Sequence, residues 1–433
     1  MRTRFTAALA VAAGLALAGC TTTPSDQPAT PEPTPSPTTT QASTAPDEEA
    51  PVERADADLV IWADDKRAAA LQEVAASFGE ANGVTVAVQA VSSNLDTNFI
   101  TADAAGNGPD IVIRGDDKIA TFVQNGAIDP VQLSESDRAK FVELTMEAVT
   151  YYGQTYGVPY AAESLVLLRN VAIAPDAPAT FDDLVAAGEA AVAAGQAEVP
   201  LSVQVGDTGD AFHLQALYAS AGGYIFPETS DGVWDTSDLG VGEEGSLDFA
   251  QRIYDLGEKG SGVLSRSINS SNSISLFAEG RAPFLISGSW ALSDVRTAGI
   301  DYAISPIPGF ADAAPATPWL SVQTFYVAAH GKNKALAQEF VRNTVASEQV
   351  QLDLYRAEPR PPALLSVLEQ VSAEDADTKS LAEAAQRGVP RPKIPQINAV
   401  WEPLNNAEAA IIGGADPVET MTATGQAIAD ALG

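Results

Sequence analysis

One cysteine stands among 433 residues, at position 20. Beyond it the chain can form no disulfide and offers no thiol nucleophile. Histidine is scarce too. His213 and His330 have no Cys, His or carboxylate partners at metal-ligand spacing, so no metal site is expected. Basic residues number 24 against 57 acidic ones, a net charge of −33. That deficit repels nucleic acid, and no basic stripe interrupts it. There is no Gly-rich phosphate loop and no G-x-S-x-G nucleophile elbow, so no cofactor is expected.

The N-terminus reads as an address. Arg2 and Arg4 precede an apolar run, Phe5 to Ala18, too short to span a bilayer. It ends in Leu17-Ala18-Gly19-Cys20, which resembles a bacterial lipobox. Residues 1–19 would be a signal peptide and Cys20 the lipidated first residue. Residues 20–53 are Thr/Pro-rich and carry nothing that could fill a core. They read as an extended tether between a membrane and a folded part.

The folded part opens with a strand end that occurs twice. Leu59-Val60-Ile61-Trp62 runs into Asp64-Asp65-Lys66, and Asp110-Ile111-Val112-Ile113 runs into Asp116-Asp117-Lys118. Short β-branched runs of this kind predict buried strands. Ligands of open α/β sheets sit beyond such strand ends. Helical spacing over Arg67–Ala81, with Ala69, Leu71, Val74, Ala75 and Phe78 apolar, predicts a helix closed by Gly83. Val84–Ala90 alternates as a strand, and Leu95–Ala105 suits a helix. The order is strand–helix–strand–helix–strand, hence α/β with a mainly parallel sheet. Further along, Glu163–Arg169, Pro200–Val205, Ala282–Ser287 and Val322–Ala329 read as strands. Thr180 and Asp183 mark a capping box, and Ala211–Ala221, Ser246–Lys259, Asn333–Thr344 and Asp416–Leu432 read as helices.

The order of these pieces resembles an extracellular solute-binding protein of an ABC sugar importer, in particular the maltose/maltodextrin-binding proteins. The resemblance rests on Leu59-Val60-Ile61-Trp62 with Asp65-Lys66, Gly108-Pro109-Asp110-Ile111, Gln124-Asn125-Gly126 and Glu163-Ser164-Leu165. It continues through Gly222-Gly223-Tyr224, Gly288-Ser289-Trp290-Ala291, Ala337-Gln338-Glu339-Phe340 and Ile394-Pro395-Gln396 with Trp401. It implies a two-lobe, periplasmic-binding-protein-like α/β fold with a multi-strand hinge. One lobe would comprise 58–162 and 322–366, the other 163–321 and 367–433. The protein would be a monomer held at the extracytoplasmic face of the cell membrane by its lipid. It would capture malto-oligosaccharides between closing lobes and deliver them to permease subunits, without being an enzyme.

The resemblance also implies a ligand set. Asp65 and Lys66 match an Asp-Lys pair, and Asp117 and Lys118 match an Asp-Arg pair. Arg114 replaces a stacking Trp, and Glu163 matches a hydroxyl-binding glutamate. Asp210 and Phe212 fall in a Glu-Pro-Tyr motif, Trp290 and Trp401 match stacking tryptophans, and Glu402 replaces a Tyr. Asn94, Asp96 and Asn405 align with further contact positions. Charged edges with aromatic faces suit a sugar, which offers hydroxyls in a plane and an apolar C–H face. Asp64 and Asp116 are expected to be strand-end caps or solvated charges, Trp62 core, and Trp234 and Trp319 without a matched role. Three alternatives stay open. Another α-glucoside such as trehalose would fit a changed subsite. A glycoside hydrolase could draw a carboxylate pair from Asp65, Asp117, Asp210 and Glu163, although no eight-fold barrel pattern supports it. A structural lipoprotein would need no aromatic crevice.

Overall fold

A computed structural model describes residues 52–229 and 234–433. Cys20, the signal segment and the tether lie outside the described residues. The strands are β1 (Leu59–Ala63), β2 (Val86–Ala90), β3 (Ile111–Gly115), β4 (Ile128–Asp129), β5 (Thr150–Tyr151) and β6 (Gln154–Thr155). They continue with β7 (Gly157–Glu163), β8 (Val166–Asn170), β9 (Ser202–Val203), β10 (Phe284–Ser287), β11 (Tyr302–Ser305) and β12 (Ser321–Ala328).

Two sheets organise them. The first runs β2-β1-β3-β12-β4, with β7 also paired to β12; the second runs β11-β8-β10-β9. Only part of each is parallel. β1 lies parallel to β2 and β3, but β12 is antiparallel to β3, β4 and β7. In the second sheet β8 is antiparallel to both neighbours, and only β9 and β10 are parallel. The expectation of a mainly parallel sheet is therefore corrected to two mixed sheets. A parallel neighbour needs a crossover, which the helices Asp65–Asn82 and Leu95–Ala104 supply among β1, β2 and β3, whereas β12 enters from much later in the chain.

The continuous apolar reading of β1 holds because both faces are covered. Leu59, Ile61 and Ala63 pack with Leu71, Val74 and Phe78 of the helix Asp65–Asn82 on one face. Val60 and Trp62 pack with Phe99 and Phe122 on the other. Trp62 is wholly buried, as expected of a core residue. Ala68, not Ala69, is buried on that helix, together with the expected Ala75. Gly83 ends it in the left-handed region at φ 66°, and Thr180 with Asp183 forms the capping box of the helix Phe181–Ala193.

Three segments depart from the expected elements. Gly157–Glu163 is a strand that ends at Glu163, and the next strand begins at Val166. Its register against β12 shifts between Gln323 and Thr324, where Pro159 lacks a ladder donor. Residues expected as one helix from Asn333 split into α-helix Lys334–Glu339 and a π-helical stretch Phe340–Val345. Helices Leu365–Glu374, Ala376–Ala385 and Asn398–Ile412 add to the C-terminal third. Among the described residues, no helix is long and apolar enough to cross a membrane.

Candidate ligand-binding cleft

The two repeated strand ends do different work. After β1, Asp64 is the N-cap of the helix Asp65–Asn82: it accepts the Arg67 N–H at 3.0 Å and pairs with the Arg67 guanidinium. That leaves Asp65 and Lys66 exposed in the first turn, where Ser92 Oγ donates to Asp65 at 3.0 Å. After β3, the chain makes a 3₁₀ turn, Asp116–Lys118. Asp116 is fully buried, accepting the Val322 N–H at 2.9 Å and Arg391 Nη2 at 3.0 Å. It is an internal anchor, not the cap or solvated charge expected from the sequence.

Asp117 and Lys118 stand at the rim of that anchor. Asp117 accepts from Arg391 at 3.3 Å and pairs with Lys118 at 2.9 Å. Asp96 grips Arg114 through two bonds of 2.5 and 2.9 Å, with Lys118 Nζ at 3.5 Å. A two-point contact fixes the guanidinium plane, so Arg114 is presented as a rigid fork. Burial alone would raise Asp117, but Arg391 and Lys118 outweigh it and hold the carboxyl at about 2. Burial wins for Asp116, which is raised despite Arg391.

The second-sheet side supplies rings. Asp210 caps the helix Ala211–Ser220, accepting the His213 N–H at 3.0 Å, with His213 Nδ1 2.9 Å from its other oxygen. Asn405 Oδ1 accepts the Ala211 N–H at 2.7 Å, tying that helix start to the helix carrying Trp401 and the exposed Glu402. From there an aromatic row runs through five side chains. Trp290 meets His213 edge-on at 6.3 Å, and His213 meets Phe212 at 5.6 Å. Phe212 lies 6.4 Å from Trp319 at 32°, and Trp319 meets Trp401 at 4.8 Å. Phe212, Trp290 and Trp401 are only partly buried, whereas Trp319 is buried behind them. Trp319 and His213 thus pack against the three partly buried rings, contacts the sequence reading did not anticipate. Asp210 and Asp103 give His213 and His330 one carboxylate neighbour each, but the described residues hold no group of three metal-ligating side chains.

Glu163 joins the two sides. At the end of β7 it accepts Ser289 Oγ at 2.6 Å, and its other oxygen pairs with Arg360. Ser289 adjoins Trp290, so a first-sheet carboxylate holds the turn that carries this ring. Glu163 is here a member of a buried ion pair, with Glu358 on the second arm of Arg360 at 2.6 Å. Beside it Lys66, Trp290, Glu358 and Arg360 line one cavity of about 580 Å³. Arg360 and Arg391 are the functional-side residues that motif reading did not find. Each lies in a Pro-Arg-Pro sequence, Pro359-Arg360-Pro361 and Pro390-Arg391-Pro392. Proline on both sides bars a helix and stiffens the chain around the arginine.

Two mixed sheets and a cavity lined by Lys66, which follows β1, and by Ser289 and Trp290, which follow β10, form a cleft of the kind that holds a solute. The profile described as bacterial extracellular solute-binding protein matches residues 73–386, and the chain belongs to that family. It is 26% identical over 391 residues to the galactooligosaccharide-binding protein of Bacillus subtilis, covering 85% of this chain and 89% of that one. It is 27% identical over 324 residues to the maltotriose-binding protein of Pyrococcus abyssi, covering 72% and 68%. It is 25% identical over 371 residues to the maltooligosaccharide ABC transporter solute-binding lipoprotein of Streptococcus pneumoniae, covering 84% and 86%. The family and these relatives are binding proteins, not enzymes.

Proposed function

We propose that this chain is the substrate-binding lipoprotein of an ABC importer and that its ligand is a neutral oligosaccharide of the malto-oligosaccharide class. The observation that carries the reading is the aromatic row ending at Trp290, in one cavity with Lys66. A flat ring takes the apolar face of a sugar, and Lys66, Asp65, Asp117 and Lys118 offer charged partners to its hydroxyls. Relatives named for maltotriose and maltooligosaccharides support the same class. The lobes are 58–162 with 322–366 and 163–321 with 367–433, closing as a monomer. Cys20 carries the lipid on the extracytoplasmic face, and closure presents the sugar to the permease.

The test is a calorimetric titration against maltose, maltotriose, trehalose, sucrose and a galactooligosaccharide. Binding of maltotriose without cleavage is the expected result. Binding of the galactooligosaccharide alone would move the ligand class toward that of the B. subtilis relative. No heat with any sugar would end the reading. For the anchor, Cys20→Ser should shift the protein from membrane to soluble fractions.

A further inference from the structure

A second cavity, of about 670 Å³, lies beside the β5–β6 hairpin and shares no lining residue with the one at Trp290. Tyr152 sits at the hairpin tip, 76% exposed, at φ 46°. Positive φ at Tyr152 and Gly153 is what a two-residue hairpin turn requires, and the turn holds the Tyr152 ring out at its tip. Its ring lies 4.4 Å from that of Tyr151, tilted by 60°. Trp234 also lines the cavity; its indole N–H is buried and finds no acceptor among the described residues. Trp234 pairs with Glu228 as an isolated antiparallel bridge, which fixes both in place.

The polar lining selects the ligand. Arg138 is committed to Thr150 and Thr155, and Lys393 Nζ donates to the carbonyls of Glu147 at 2.6 Å and Thr150 at 2.9 Å. The two cations are thus occupied, and they face two carboxylates, Glu147 and Glu228. Two cations and two carboxylates balance the net charge of the lining, which disfavours a strongly charged ligand. The side chains of Gln124 and Gln396 make no hydrogen bond among the described residues, and Glu228 acts on Lys393 through charge alone. Aromatic faces beside open amide and carboxylate groups, with no net charge, suit a neutral ring bearing hydroxyls.

We propose that this cavity is a second, separately saturable carbohydrate site, with Tyr152 and Trp234 as its aromatic contacts. Only the choice of ligand class rests on the function proposed above. The experiment is calorimetry of the full chain with maltotriose and maltoheptaose, comparing wild type with Tyr152→Ala, Trp234→Phe and Trp290→Ala. Tyr152 is exposed, so its truncation does not threaten folding. Two sites per chain are expected. Tyr152→Ala should weaken one at least 10-fold and leave the other unchanged, Trp234→Phe should weaken the same one, and Trp290→Ala should do the reverse. One site, lost in Trp290→Ala and untouched by Tyr152→Ala, overturns the second site and leaves the sugar-binding reading standing. One site weakened by both variants makes the cavity an arm of the first cleft and equally overturns separate saturation. No binding of either sugar overturns both readings.

Discussion

Replacing Arg391 by methionine tests the internal anchor at the end of β3. Asp116 is fully buried, and among the described residues its only other donor is the Val322 N–H. Its second oxygen already has no partner. Removing one member of a buried pair typically costs about 3–5 kcal/mol. Here Asp117 keeps Lys118 at 2.9 Å, and Asp116 can take up a proton, so the lower end, ~3 kcal/mol, is expected. For a chain of this length that lowers the thermal midpoint by roughly 4 °C. The sign with pH follows from the raised Asp116. A carboxyl raised in the folded state contributes stability below its ordinary value and loses it as pH rises. Without Arg391 Asp116 rises further, so the deficit should be largest at pH 7 and narrow toward pH 4. Asn at position 116 keeps an acceptor for Val322 without the charge, so Arg391→Met with Asp116→Asn should recover most of the loss. Calorimetric midpoints of the three proteins at pH 4 and 7 are the assay. A loss below about 1 °C, a deficit flat with pH, or no rescue by Asp116→Asn refutes the argument.

Other expectations concern the rings and the helix carrying Trp401. Trp290→Ala should weaken maltotriose by roughly 30- to 1,000-fold, the cost of losing an aromatic anchor, while the thermal midpoint holds; unchanged affinity would remove Trp290 from the site. Glu408 is buried with neither oxygen partnered, and burial and then Asp210 raise it well above the ordinary range. Glu408→Met should therefore stabilise by about 1–3 kcal/mol. The gain should grow as pH rises through the raised value, where the wild type must bury a charge; a lower midpoint would contradict this. Gly209 lies at φ 77°, and a Cβ there would collide with the carbonyl of Asn405. Gly209→Ala should lower both stability and sugar affinity, since Asn405 also holds the Ala211 N–H. A variant equal to wild type in both would refute that coupling.

What the sequence made legible was local. β1, β3 and the helix after β1 were readable because continuous burial and helical spacing leave short-range patterns. The Thr180–Asp183 box was readable because its partners are three residues apart. β7 was hidden by Gly157, Pro159 and the neighbouring tyrosines, which read as punctuation although pairing with β12 overrides them. The site divides the same way. Strand-end acids announced themselves, as did Lys118 beside Asp117, but the distant arginines did not. Arg391 lies 275 residues from Asp116, and Arg360 lies 197 from Glu163. No periodicity links such pairs; only the two Pro-Arg-Pro sequences hinted that the arginines are pinned. Asp64 and Asp116 looked alike in sequence and differ because one strand feeds a helix and the other a buried turn.

The antiparallel strand β12 has a consequence for how the molecule comes to exist. Thr324 pairs with Arg114 across 210 positions of chain, so the edge of β3 stays bare until nearly three quarters of the polypeptide has been made. A bare, apolar strand edge is a template for pairing with another chain, and closure over such a separation is slow. The first sheet is therefore finished late, by a strand that emerges after the whole second sheet. Fragments ending before Ser321 should aggregate, whereas those reaching Ala328 can complete the first sheet.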